Sequence, residues 1–94
     1  MITRIVKLSI SIERIQDFQN AFKENYENIA SFPGCKDVRL VVDTKNPALH
    51  FTISIWESEQ AIENYRKSEL FNTIWSTVKP WFSEHAQAWS TKSF

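Results

Sequence analysis

The sequence predicts one α+β domain with the element order β-α-β-β-α-β, and three observations carry the prediction. Apolar residues alternate with period two from Ile2, from Val38 and from Leu49. They recur at helical spacing between Ile15 and Ile29 and again from Ala61 to Val78. Turn chemistry at Phe32-Pro33-Gly34 and at Asp43–Pro47 separates these blocks. A chain of 94 residues has room for a single domain, taken as 1-94, with one core. One Gly and three Pro among 43% apolar residues argue against disorder, and four Trp with seven Phe are many rings for so small a core.

The elements follow in order. In the first strand Ile2, Val6, Leu8 and Ile10 share a face with Arg4, and Thr3, Ile5, Lys7 and Ser9 take the other. Ser11 is placed to cap the next helix with its side-chain oxygen. Ile15, Phe18, Phe22, Tyr26 and Ile29 form that helix's apolar stripe, with Glu13 and Asp17 at the end favoured by acids. Pro33 biases Phe32 out of the helix, and Gly34 permits a sharp turn. The second strand alternates Val38, Leu40 and Val42 against Arg39 and Val41. The third sets Leu49, Phe51, Ile53 and Ile55 against His50, Thr52, Ser54 and Trp56, and the short turn between the two implies an antiparallel hairpin.

Ser58 caps a second helical region that runs to about Trp81, breaks near Ser68 and ends or kinks at Pro80. His85 to Phe94 reads as a fourth strand. Two interleaved right-handed β-α-β halves then give a ferredoxin-like unit, an antiparallel sheet with helices on one face. The opposite face is expected to carry Trp56 and His50 with Val41 or Ile5, too apolar to stay wet. A second copy is expected to cover it, making a homodimer.

Composition narrows the function. Eleven basic residues balance eleven acidic ones, with Arg66–Lys67 the densest basic pair, so no stripe for nucleic acid is legible. No basic amphipathic helix suits a membrane surface, and the charge-interrupted start Met1–Ile10 reads as a strand of a cytoplasmic protein, not a signal peptide. Cys35 is the one cysteine, without a sequence-adjacent His, and reads as an inert buried thiol. Two His and one Cys give no metal-ligand spacing, and one Gly makes no nucleotide loop. His50 and His85 titrate near neutrality by default, so either is a candidate general base. Arg4, on an apolar face, is expected to pair with a carboxylate across the sheet, with an anionic ligand as the alternative.

The stretch Trp56-Glu-Ser-Glu-Gln-Ala-Ile-Glu-Asn-Tyr65-Arg-Lys-Ser68-Glu-Leu-Phe71 resembles the signature of the antibiotic biosynthesis monooxygenase family of dimeric α/β barrels. Phe32-Pro-Gly-Cys35, and Asp43 with Pro47 in the hairpin turn, extend the resemblance over roughly residues 2 to 90. It implies the fold and dimer read above, and a range of activities that includes cofactor-free oxygenation of aromatic polyketides. The family's heme-degrading branch is also similar, but its Trp, His and first-strand Asn are not matched. Tyr65 and Trp75 stand at the first two places, and no Asn occurs before Asn20.

The resemblance therefore implies a cofactor-independent monooxygenase acting on a small planar aromatic or quinol, with no metal or organic cofactor. Such chemistry needs an apolar slot for a flat ring and a hydrogen-bond partner for a developing oxyanion, and it can use a base. Tyr65 and Trp75, each an apolar body with one donor, are the candidate wall residues, with His50 and His85 as candidate bases. Two alternatives stay open: rings packed into an ordinary core, and a non-catalytic dimeric module that binds a hydrophobic ligand or acts in a stress response. Trp56 reads as an interface or fold residue.

Overall fold

A computed structural model describes residues 1–94. The chain runs through β1 (Ile2–Ser9), α1 (Ile15–Ala30), β2 (Cys35–Val42), β3 (Leu49–Trp56), α2 (Glu59–Arg66), α3 (Glu69–Val78) and β4 (Gln87–Thr91), with single turns of 3-10 helix at Ile12–Arg14 and Lys79–Trp81. The four strands form one antiparallel sheet in the order β2-β3-β1-β4. This is the ferredoxin-like arrangement expected, an open sheet with the helices on one side. The fourth strand is shorter than expected, because the segment around His85 stays outside the ladder and β4 begins at Gln87. No helix is long and apolar enough to cross a membrane.

Local chemistry explains where the elements begin and end. Ser58 and Ser68 accept hydrogen bonds from the backbone N–H groups of Ala61 and Phe71, each at 3.1 Å, so each starts its own helix. The Ser68 hydroxyl also donates to the Tyr65 carbonyl at 2.6 Å, which fixes the break between α2 and α3. Pro80 sits in the turn that closes α3. Ser11 departs from expectation: its side chain caps nothing, because a 3-10 turn precedes α1 and only its backbone is engaged, the carbonyl by the Arg14 N–H and the N–H on the Trp81 carbonyl, each at 2.8 Å. In the hairpin turn, Asp43 Oδ2 accepts from the N–H groups of Lys45 and Asn46 at 3.1 and 2.9 Å. Gly34 has φ +90°, and a Cβ there would overlap the Ala61 side chain, so both backbone conformation and close approach require glycine.

The helix-side face of the sheet supplies Leu8, Val38, Ser54 and Trp56 to the interior, beneath Phe18 and Ile29 of α1, Ile62 of α2 and Val78 of α3. The expected stripe of α1 is corrected at Tyr26, which is 40% exposed, while Asn25 turns inward. Eight residues after Phe18 the helix has rotated roughly 80° past whole turns, which carries Tyr26 off the buried face.

The larger correction concerns β3. His50, Thr52, Ser54 and Trp56 point toward the helices, not away from them, and Trp56 is 2% exposed. Leu49, Phe51, Ile53 and Ile55 therefore face outward. Cross-strand pairing sets Ile53 beside Ile5 and Phe51 beside Val41, with Trp89 next to Ile5 on the far side. The strand's more apolar side is thus the one the helices leave uncovered. The side facing them is more polar because it does not close into a solid core.

Candidate active site

Between sheet and helices lies a cavity of about 370 Å³. Its floor is Arg4, Val6 and Leu8 from β1, Val38 from β2, and Thr52, Ser54 and Trp56 from β3. Its roof comes from Phe18, Phe22, Asn25 and Ile29 of α1, Ile62, Tyr65 and Arg66 of α2, and Phe71, Ile74, Trp75 and Val78 of α3, and Phe82, Ala86 and Ala88 close one side. The volume suits a ligand of a few fused rings, at the lower end of small-molecule sites.

Tyr65 and Trp75 both line this cavity, and the break at Ser68 is what brings them there. Ten residues of straight helix would separate them by about 15 Å of rise. Here they belong to one run of rings. Tyr65 contacts Phe71 edge-on at 5.2 Å between centroids, and Phe71 stacks on Trp75 at 5.5 Å and 17°. Trp75 meets Phe82 at 5.3 Å, while Tyr65 also touches Trp56 and Phe32 at 5.1 and 5.3 Å.

Burial, with a smaller contribution from Cys35, pushes the Tyr65 phenol up to about 12, so it is a hydrogen-bond donor and not a base near neutrality. Neither the Tyr65 hydroxyl nor Trp75 Nε1 is engaged by another group of the chain, yet no sealed polar side-chain atom lacks a partner. Both donors therefore retain accessible surface. Trp56 Nε1, by contrast, is spent on Ser54 Oγ at 2.8 Å, which makes Trp56 a fold residue whose ring happens to form floor.

The two histidines lie outside the lining. His50 is fully buried beyond the cavity's end, its ring 5.3 Å from Phe18, with Nε2 3.0 Å from Gln19 Nε2 and Nδ1 3.2 Å from the Ala48 carbonyl. Burial holds its pKa below the usual imidazole range, so it sits neutral. His85 is exposed on the segment before β4, in a shallow surface depression behind Trp75 and Phe82. The structure therefore brings Tyr65 and Trp75 together in the cavity, leaves His50 outside its lining, and sets His85 with Trp75 only in the surface depression.

Cys35 is half-buried beside Trp56 and Tyr65, its Sγ donating to the Asp37 carbonyl at 3.6 Å, and burial pushes the thiol up. No three His, Cys, Asp or Glu side chains converge as a metal-binding group. Arg4 does not make the expected ion pair. Its guanidinium donates to Ser90 Oγ, its neighbour on β4, at 2.9 Å, because no carboxylate occupies the facing positions on β3 or β4. Sequence reading passed over Arg66 as a lining residue. Its place directly after Tyr65, on the last turn before the break, was the available signal.

Residues 1–77 match the family described as antibiotic biosynthesis monooxygenase. The chain belongs to that family. Its fold is correspondingly similar to a crystal structure of an antibiotic biosynthesis monooxygenase, with 20% identity and a TM-score of 0.93 over 100% of this chain and 99% of the other. A conserved protein from Methanosarcina mazei Go1 gives 20% identity and 0.92, over 100% of this chain and 94% of that one. A Mycobacterium tuberculosis structure with 10% identity still reaches 0.89, over 99% and 94%. At these identities the likeness concerns fold alone. No curated protein matches the chain in sequence.

Proposed function

We propose that this family member is a monooxygenase that needs no metal or organic cofactor and acts on a small planar aromatic or quinol-type substrate. The observation that carries the reading is the ring-lined cavity, two of whose lining residues, Tyr65 and Trp75, keep side-chain donors that no group of the chain engages. The substrate's ring carbon, activated by adjacent oxygens, loses a proton to water. The carbanion passes one electron to O2, and the two radicals combine to a peroxide anion that takes up a proton from water to become C–OOH. Loss of water, with the hydrogen that the same carbon still bears, leaves a C=O, so one atom of O2 enters the product and the other leaves as water. The donors stabilise the ring oxyanion, whose charge grows as the proton departs, where stabilisation lowers the barrier.

Oxygen uptake with a panel of anthrones and naphthoquinols tests this. The expected result is uptake matched by quinone formation, with one labelled atom incorporated from labelled O2. Absence of enzyme-dependent uptake across the panel overturns it. A non-catalytic binding module is the second reading, favoured by the lack of any imidazole or carboxylate in the lining. We also propose that the outward face of the sheet pairs with that of a second copy, supported by the outward-facing Val41, Phe51, Ile53, Ile5 and Trp89, which lie in two adjacent cross-strand rows with Arg39 and Lys7.

A further inference from the structure

The cavity carries charge of one sign. Two of its lining side chains are ionised, Arg4 and Arg66, and none is acidic. Arg4 stands on the sheet floor, where burial, then repulsion from Arg66, hold its guanidinium below the usual range, a cost to the fold. That cost is not offset by an ion pair: of the five N–H donors of the group, the structure commits one, to Ser90 Oγ. The acid that acts on Arg4 is Glu63, and its carboxylate is already taken by Arg66 at 3.3 Å and Lys67 at 3.8 Å. A partly buried cation with donors to spare beside an apolar slot suits a hydrophobic anion, since a guanidinium fork binds an oxyanion more strongly where water is scarcer.

We propose that the cavity selects a planar hydrophobic anion, with its rings against Phe22, Phe71 and Trp75 and its oxyanion on Arg4 and Arg66. The inference rests on the reading of the cavity as an aromatic-ligand site and names the charge of the ligand. The oxyanion is either a carboxylate carried by the ring or the ionised ring oxygen itself. In the second case the arginines make the substrate's own ionisation favourable, and no side-chain base is required.

Calorimetric titration with a naphthalene carboxylate and with its neutral, isosteric carboxamide tests the proposal, and a nitronaphthol whose colour reports its ionisation separates the two sources of charge. The carboxylate is expected to bind about tenfold or more tightly than the carboxamide. Arg4→Met and Arg66→Gln should each erase most of that preference, lowering carboxylate affinity far more than carboxamide affinity. Arg66 is half-exposed, so the second variant keeps the test open if the first folds poorly. A fall in the nitronaphthol pKa on binding assigns the ring oxygen, and carboxylate preference without that fall assigns the carboxylate. Equal affinity for carboxylate and carboxamide, or a preference that survives both substitutions, overturns the proposal and leaves the aromatic site standing. Binding of neither probe removes both.

Discussion

Tyr65 carries its hydroxyl where ionisation is costly. Its pKa, displaced from 10.0 to about 12, means that the folded chain holds a proton the unfolded chain has lost within that window. Stability therefore falls as pH rises from 10.0 to about 12 and is unaffected by this group below it. The loss is on the order of 2 kcal/mol, and Tyr65→Phe should be spared it. Urea unfolding of both proteins at pH about 9 and about 11.5 reads the difference, and parallel losses would contradict the assignment. At neutral pH the same substitution should lower turnover more than stability, since the lost donor serves charge that develops during reaction. A phenol this reluctant to ionise is also a poor iron ligand, and an indole is none. Hemin titration should accordingly give a weak, broad Soret band. A sharp band followed by ascorbate-driven bleaching at stoichiometric heme would show otherwise.

Helix starts illustrate what the order of residues does and does not reveal. Three serines precede helices, but Ser58 and Ser68 cap through their side chains and Ser11 does not. Alanine at 58 or 68 should cost about 1 kcal/mol each, and alanine at 11 close to nothing, as measured by shifts in the denaturation midpoint. The Ser68 break was legible because a cap in mid-helix leaves no other reading. The Ser11 error arose because the 3-10 turn at Ile12–Arg14 has no signature distinct from a first helical turn. Gly34 offers a sharper trial, since its φ of +90° and its approach to Ala61 both oppose a side chain. Gly34→Ala should destabilise by about 2–4 kcal/mol, and adding Ala61→Gly should recover only the steric part. Full recovery would mean that backbone strain contributes nothing.

The whole molecule places its apolar rows on both sides of a single sheet, and this is why sequence reading found the fold but reversed β3. Alternation shows that two faces exist. It does not show which one meets the helices when the inner face lines a cavity and keeps Thr52 and Ser54. Tyr65 and Trp75 were readable from the family pattern. Arg66 was marked only by its place after Tyr65, because its position in the lining depends on a helix ending beside a space that only the packed chain defines. If the outer face pairs with a second copy, the interface should bury on the order of 1,200 Å² or more. Ile53→Lys should then give monomers by light scattering, with ligand affinity kept. Monomeric wild-type protein at micromolar concentration would refute the pairing.

Strand β3 thus alternates between two neighbourhoods: residues 50, 52, 54 and 56 look inward, and 49, 51, 53 and 55 look outward. Adjacent letters of one eight-residue word answer to separate selections. Substitutions at positions 52 and 54 change the chamber's lining and leave the outward face untouched. Insertion of a single residue in this strand would exchange the two sets and abolish both at once.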